Sequence, residues 1–432
     1  MYYKKEESLQ YVWQRGLFEQ SYLASSCGKS IEIIEPGVLN SNSGPDFKFA
    51  KIKIDHVLHV GHVELHLKSS DWLRHGHQHD SNYRNVILHV VQENDLMPAG
   101  DWLDSLPCLE LGALLKVDEQ KIRRMMQFQS PKGFHCYSLW DESEIDLREI
   151  FQNWKWDLIL ERMDRKADLF FEELKICSGD LNKWMYKSFA SQIGYPLNQF
   201  PMEQLSSDLP FEVFKHYLND QHALDALFLG QAGLLSGAGC DEYELRLIDR
   251  YHFLSRKHSL TPINKDLWQY FRLRPYAFPD RRIAYLSAFA SKIPFSSSVI
   301  SSLSSKAGLD AFLDISLSEH WKGRYRIGKP LKKQLSNKLG LGLKKQLLVN
   351  MMVPMLIAYG RFVGNKKVAK DAYRFLATSS SESNNICASF NILGLKFDSA
   401  LESQAAVELK KGYCQQFRCL ECQFGKNLLN IS

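Results

Sequence analysis

The stretch NSGPDFKFAKIKIDHVLHVGHVELHLKSSDWLRHGHQHD, residues 42–80, decides the fold of the N-terminal part of this chain. Two runs within it, Phe47–Ile54 and Val57–Leu67, alternate apolar and polar residues. Such alternation is typical of strands that have one solvent-facing side. The stretch therefore predicts two neighbouring strands, followed by a loop that is rich in histidine.

The rest of the chain predicts a division into domains. At 432 residues it is too long for one small core. Helix and strand patterns alternate over the first 115 residues, and from about Asp146 helical periodicity dominates. We expect an α+β or α/β protein with a small N-terminal α/β domain (1–140), a larger, mostly α-helical domain (141–410) and a Cys-rich metal-binding tail (411–432).

The most apolar run, Leu347–Tyr359, is short for a membrane span and contains Asn350 and Pro354. We expect it to form a buried helix, with no membrane involved. The N-terminal residues lack the apolar core of a signal peptide, which predicts a cytoplasmic location.

Charge is unevenly distributed along the chain. Residues 321–370 contain thirteen Lys or Arg and no acidic residue, although the whole chain has a net charge of only +5. A solvated helical face would explain a charge run, but such faces usually mix signs. This basic segment therefore predicts a polyanionic partner, with nucleic acid ahead of lipid headgroups, and Lys332 and Lys333 are candidate phosphate contacts.

Acidic residues fall at key points of the two predicted strands. Asp46 precedes the first strand, and Glu64 shares one face of the second strand with His66 and Lys68. Two converging carboxylates need a positive partner, and Mg²⁺ or Mn²⁺ suits oxygen ligands. His66 or Lys68 would orient a water molecule or offset charge. The alternative is a capped turn at Pro45-Asp46 and a surface acid at Glu64.

Pro45-Asp46, followed by Glu64 with a basic residue two positions later, resembles the PD-(D/E)XK nuclease pattern. This resemblance implies a restriction-endonuclease-like αβββαβ core and a metal site shared with an acid of the first helix. Glu7 is the candidate for that acid, with Glu6 and Glu19 behind it. The sequence departs from the pattern because His66 stands where the pattern has Lys.

A longer set of motifs resembles a family of bacterial proteins known as domain-of-unknown-function family 2851. These motifs are GPDF, VELH, SDWLRHGHQHD, VILHVV, LRPYAFP and the Cys-rich tail. The resemblance runs along the whole chain, and it implies no particular activity.

Eight of the fourteen histidines fall between residues 56 and 89. The string HGHQHD resembles the HxHxDH loop of metallo-β-lactamase-fold hydrolases, with its last two letters reversed, and predicts a Zn²⁺ site at His75, His77 and Asp80 as an alternative. Two other interpretations are an exposed polar helix start, and phosphate contacts by His75, His77 and Tyr83. His89 lies within an apolar run and is expected to be a hydrogen-bonded core residue.

Three cysteines cluster near the end of the chain, as Cys414, Cys419 and Cys422. The CxxC spacing lets two thiolates reach one metal from a single turn, and the candidates for a fourth ligand are Cys136, Cys387 and His135. Zn²⁺ or an iron–sulfur cluster would suit such a set. Some PD-(D/E)XK nucleases carry a cluster on one early and three late cysteines, an arrangement similar to the set with Cys136. The alternative is a tail with reduced thiols.

The function expected from the sequence is metal-dependent hydrolysis of phosphodiester bonds in DNA or RNA. One alternative is a non-catalytic nucleic-acid-binding protein on the same fold. A further alternative is a zinc-dependent hydrolase that uses the HGHQHD loop.

Overall fold

The chain forms two compact units in a computed structural model. The described residues are 2–40, 42–96, 106–127, 134, 136–140, 145–235, 241–303 and 305–430. Unit 1 comprises residues 1–158, 383–396 and 404–432, and unit 2 comprises residues 159–382 and 397–403. The three-domain division expected from the sequence concerns independently folding parts and stays a prediction. His135 lies outside the described residues.

Unit 1 is built around a six-stranded mixed sheet in the order β1-β3-β4-β5-β6, with β2 also pairing with β3. The pairs β4–β5 and β5–β6 are parallel, and the others are antiparallel. The strands are β1 (Ile31–Glu35), β2 (Val38–Leu39), β3 (Phe47–Ile54), β4 (Val57–Lys68), β5 (Val86–Glu93) and β6 (Cys108–Glu110).

The β3–β4 hairpin fixes the position of Asp46. A two-residue turn joins the strands, and both of its residues, Asp55 and His56, have positive φ, at 49° and 68°. Nearer Asp46 the register shifts between Phe47 and Ala50, which marks a β-bulge. Because Phe47 pairs with Val63, the residue before Phe47 lies next to Glu64.

Helix α1 (Glu6–Arg15) packs on β4. Leu9, Val12 and Trp13 are buried at helical spacing, and they join the hydrophobic core that also contains Val63 of β4. The helix ends at Gly16, whose φ of 61° lies in the left-handed region that glycine adopts at little cost.

Helices make up most of the remaining chain, which confirms the predicted architecture of a sheet-containing N-terminal part followed by a mostly helical region. The further helices are α2 (Asp71–Arg74), α3 (Glu119–Gln127), α4 (Tyr137–Trp140), α5 (Leu147–Ile176), α6 (Leu181–Gly194), α7 (Gln199–Asp208), α8 (Phe211–Phe214), α9 (Gln221–Gln231), α10 (Glu242–His258), α11 (Pro279–Ala290), α12 (Ser297–Ser302), α13 (Lys306–Phe312), α14 (Leu341–Leu347), α15 (Val353–Phe362), α16 (Lys366–Thr378), α17 (Asn385–Ile392), α18 (Ala400–Glu408) and α19 (Gln423–Leu429). A small hairpin of β7 (Arg324–Arg326) and β8 (Lys329–Pro330) lies in unit 2.

One helical segment is longer than the sequence suggested. Helix α14, the π-helical residues Leu348–Met352 and α15 form a continuous run, Leu341–Phe362. Among the described residues it is the one helix long and apolar enough to cross a membrane by length and composition, and 56% of its apolar window is buried inside the structure. Core helices of soluble proteins meet the same criteria, so this run carries little weight as a membrane span.

Substitution of Gly61 in β4 should destabilise the sheet beneath the acidic residues. A Cβ atom there would lie 2.4 Å from Ile87 Cγ2 and 2.6 Å from the Asn85 carbonyl oxygen. We expect Gly61→Ala to lower the free energy of unfolding by about 1–3 kcal/mol, measured by denaturant unfolding. The control Gly342→Ala, where a Cβ meets nothing within 4 Å, should stay within about 1 kcal/mol of wild type. Equal effects in the two variants would contradict the close packing at Gly61.

Candidate functional site

Asp46 and Glu64 bind each other's strand through reciprocal hydrogen bonds. The backbone N–H of Asp46 donates to Glu64 Oε2 at 2.9 Å, and the backbone N–H of Leu65 donates to Asp46 Oδ2 at 3.0 Å. Leu65 itself faces the hydrophobic core, so Glu64 points to the opposite side of β4. The two carboxyl groups predicted from the sequence are therefore neighbours.

Helix α1 contributes two polar side chains to this pair. Gln10 Nε2 donates to Asp46 Oδ1 at 2.8 Å. Glu6, four residues earlier on the same helical face, interacts electrostatically with His75 and Asp46, and its burial raises its pKa. Glu7, the candidate chosen from the sequence, lies on the exposed side of the helix.

Burial shapes the protonation of the carboxyl pair. Burial and, to a smaller extent, the nearby Asp46 raise the pKa of Glu64 to about 9. The pKa of Asp46 is also raised by burial, although the hydrogen bonds from Leu65 and Gln10 act to lower it. At neutral pH the pair retains a proton unless a cation replaces it.

Three histidines converge beside Glu64. His66 lies on the same face of β4 as Glu64, and its Nε2 is 3.2 Å from His75 Nδ1 and 3.3 Å from His77 Nε2. The three ring nitrogens all lie within 4.8 Å of one another. Ligands in a tetrahedral shell of Zn–N bonds are about 3.3 Å apart. The three imidazoles therefore lie close enough together to hold one metal ion.

Glu64 lies at the edge of this histidine group. Its Oε1 atom is 3.2 Å from His77 Nε2 and 3.6 Å from His66 Nε2. A carboxyl oxygen at this position would lie beside any ion held by the three imidazoles. Catalytic zinc sites commonly have three protein ligands, an open position and a nearby carboxylate that acts as a base.

A second layer of side chains orients the histidines. His66 Nδ1 is 2.9 Å from His89 Nε2, and His89 is buried in β5, as expected of a core histidine. The buried Trp72 ring packs edge-on against His66 and His77, and the Tyr83 ring stacks on His77 at 3.8 Å. Metal-ligating histidines usually have the second ring nitrogen hydrogen-bonded, as His66 Nδ1 is to His89.

Burial also favours the neutral form of His66, His77 and His89, and metal binding requires neutral imidazoles. It lowers the pKa of His66 to about 2, helped by the neighbouring His89 and His77. It lowers the pKa of His89 to about 3 and that of His77 to about 4.

Other residues predicted from the sequence lie elsewhere. Lys68 Nζ is 3.8 Å from carboxylate oxygens of both Glu93 and Asp95, one pleat beyond His66. The Asp80 carboxylate accepts a hydrogen bond from the Asn82 backbone and so caps a turn. It does not belong to the group formed by His66, His75 and His77, although the sequence suggested a zinc site at His75, His77 and Asp80.

A second acidic group with a histidine occurs in unit 2. Asp241, Glu244 and His320 lie within reach of one ion. Arg324 forms an ion pair with Asp241, and its Nε is 3.2 Å from Glu244 Oε1, so a guanidinium already provides positive charge there. The two acids also form the capping box of α10. This group is explained by structure alone.

The fold and the site define an α+β protein that carries a cluster of histidine and carboxyl side chains on its N-terminal sheet. The chain belongs to the family described as "Protein of unknown function (DUF2851)", which matches residues 6–385. No curated protein and no solved structure matches the chain.

Zinc binding to this site should release a proton from Glu64. The raised pKa of about 9 keeps Glu64 protonated at pH 7.5, whereas His66 and His77 are already neutral. We expect about one proton released per Zn²⁺ bound, and an affinity that rises about tenfold per pH unit from pH 7 to 8.5. Calorimetric titrations in buffers of different ionisation enthalpy measure this release. Glu64→Gln should abolish it, and an unchanged release in that variant would contradict the assignment.

Proposed function

We propose that this protein is a metal-dependent hydrolase that cleaves phosphodiester bonds of nucleic acid. The observation that carries the proposal is the convergence of His66, His75 and His77 within 4.8 Å of one another, with a Glu64 oxygen 3.2 Å from His77. Three converging imidazoles beside a buried carboxyl pair form an energetically costly arrangement for a site without function.

The ligand types favour a particular class of metal. Imidazole nitrogens suit Zn²⁺ and other late transition metals, whereas Mg²⁺ prefers oxygen ligands and keeps its waters. Zn²⁺ is therefore the first candidate at the three histidines. Mn²⁺ is the second, because Asp46 and Glu64 add carboxyl oxygens next to the same nitrogens.

Each residue has a definite part in the proposed chemistry. His66, His75 and His77 would hold the ion, which would supply an activated water at neutral pH. Glu64 would act as the general base, and Asp46 holds Glu64 in place through its backbone N–H. His75 is exposed, so substrate reaches the site from that side. Tyr83, stacked on His77, borders the same group.

The order of elements supports phosphodiester chemistry. Pro45-Asp46 directly precedes β3, and Glu64 lies in the adjacent antiparallel strand β4, which is the order required by the resemblance to PD-(D/E)XK nucleases. His66 replaces the lysine of that pattern. The assignment of a nucleic-acid substrate rests on this resemblance and on the basic segment of unit 2.

The basic segment retains exposed cations after its ion pairs are accounted for. Arg361 binds Asp164 and Asp168, and Arg324 binds Asp241. Several lysines of the segment are exposed, namely Lys329, Lys332, Lys333, Lys338, Lys366, Lys367 and Lys370. Exposed lysines that contact phosphates, and not base edges, would hold a nucleic-acid backbone regardless of its sequence.

Cleavage of labelled single- and double-stranded DNA and RNA tests the proposal. With Zn²⁺ or Mn²⁺, the wild-type protein should cut at least one of these substrates. Glu64→Gln and His77→Ala should each reduce the rate by about a hundredfold or more, because one removes the base and the other a ligand.

His79→Ala is the matched control, since His79 lies in the same short turn but outside the metal-binding group. It should leave cleavage unchanged. Salt-sensitive binding without cutting under any metal would favour the non-catalytic nucleic-acid-binding protein. A protein that neither binds nor cuts any of these substrates would contradict the proposal altogether.

Lys332 and Lys333 should contribute to binding without reading sequence. The double variant Lys332→Ala/Lys333→Ala should weaken nucleic-acid binding equally for unrelated sequences and lower the salt-dependence slope by about two. Lys322→Ala is the control, because Lys322 is paired with Glu319 at 2.8 Å. Fluorescence anisotropy at several salt concentrations measures both effects. An unchanged slope in the double variant would exclude these lysines from the binding surface.

A further inference from the structure

Four cysteines from distant parts of the sequence meet in unit 1. Cys136 follows the sheet domain in the chain, and Cys414, Cys419 and Cys422 lie near its end. Cys136, Cys414 and Cys422 line one small apolar cavity. Cys419 packs against the hydrophobic core of the same unit, and all four are free thiols.

The electrostatics of the thiols show that they are close neighbours. Burial raises the pKa of Cys136 well above its usual value, and the thiols of Cys414, Cys419 and Cys422 raise it further. Cys414 is affected in the same way by Cys422 and Cys419. Cys136 therefore lies close enough to interact with all three late cysteines, and it shares one cavity with two of them.

The local backbone is shaped to present the late cysteines. Cys414 ends the π-helical segment Leu409–Cys414, and a tight turn then brings Cys419 and Cys422 together. The turn needs a glycine at position 425, where a Cβ atom would lie 2.0 Å from the Cys419 carbonyl oxygen. Backbone N–H groups of Phe424 and Gly425 form hydrogen bonds with the Cys422 sulfur, as donors do around metal-bound thiolates.

The sulfur separations distinguish between two kinds of metal centre. A single Zn²⁺ with Zn–S bonds of about 2.3 Å holds its four sulfurs about 3.8 Å apart. All four cysteines belong to the described residues, and no three of their sulfur atoms lie within 4.8 Å of one another. The sulfur atoms are therefore farther apart than a single Zn²⁺ would hold them, and the thiolate ligands of a cluster of several iron atoms are also farther apart than those of one ion.

The surroundings also fit an anionic cluster. The cavity walls are apolar and aromatic, and Phe134, Tyr137 and Trp140 are among them. The buried Lys410 interacts with Cys414 and Cys136, and Arg15 interacts with Cys419. An iron–sulfur cluster with four thiolates carries net negative charge, which these two cations offset.

We infer that Cys136, Cys414, Cys419 and Cys422 bind an iron–sulfur cluster that joins the C-terminal tail to the segment at residue 136. The cluster is separate from the histidine group, and the inference does not depend on the proposed hydrolase activity. It acts as a clip within unit 1, since it links residues that are 278 positions apart in the chain.

Full-length protein expressed with iron and purified without oxygen tests the inference. We expect iron and acid-labile sulfide in equal amounts, about two to four of each per chain, and visible absorption that bleaches on reduction with dithionite. Acid-labile sulfide is the decisive quantity, because iron or zinc at the histidine group brings no sulfide.

Cys136→Ser, Cys419→Ser and Cys422→Ser should each lose the bound sulfide. Cys27→Ser, at an exposed thiol, should keep the bound sulfide. Sulfide that is also kept in Cys387→Ser would show that the fourth ligand is Cys136 and not Cys387. Zinc without sulfide in the wild-type protein would overturn the cluster in favour of a single ion. Protein with neither metal nor sulfide would overturn the site as a whole, whether or not the variants fold.

Discussion

The buried contact between Asp46 and Glu64 is the constraint on which the N-terminal unit depends. Each carboxyl group accepts a backbone hydrogen bond from the other's strand. Two adjacent carboxylates cannot both be charged in a buried site without a compensating cation. Burial and the neighbouring Asp46 accordingly raise the pKa of Glu64 to about 9. The strands bring the pair together, so the fold itself creates a demand for positive charge. A proton satisfies this demand at Glu64, and under the proposed function a metal ion would take the place of that proton.

The elements around the pair serve to hold this corner in place. The bulge in β3 sets the register that puts Asp46 opposite Glu64, and the parallel β4–β5 pair places His89 behind His66. Trp72 covers the histidines and leaves His75 at the surface. The fixed members of the group lie on strands, whereas His75 and His77 come from the loop after β4. A rigid platform with two of its histidines on a loop is the arrangement that the proposed metal site needs for an ion and a substrate to enter.

The sequence predicted the strands well, because alternation depends on local burial alone; β3 has the predicted bounds and β4 extends one residue further. It also predicted the approach of Asp46 to Glu64 from the hairpin, but it did not predict the bulge in β3 that sets the register between them. It did not predict that His66 joins His75 and His77, because the path of a loop back over a sheet is set by tertiary packing. Glu6, and not the predicted Glu7, lies near Asp46 for a similar reason, because the packing of Leu9, Val12 and Trp13 decides the rotation of α1. The acid partners of Arg324 and Arg361 lie far away in sequence, which the charge run alone could not reveal.

The departure of His66 from the nuclease pattern has a physical interpretation. A lysine beside Glu64 would supply a permanent positive charge and form an ion pair with the carboxylate directly. A histidine whose pKa is lowered to about 2 supplies no charge at neutral pH, but it offers a nitrogen ligand. With His75 and His77 adjacent, the positive charge that the carboxyl pair needs can come from a bound ion. Under the proposed function, histidine at position 66 changes how the positive charge is supplied, while the carboxyl pair still needs that charge.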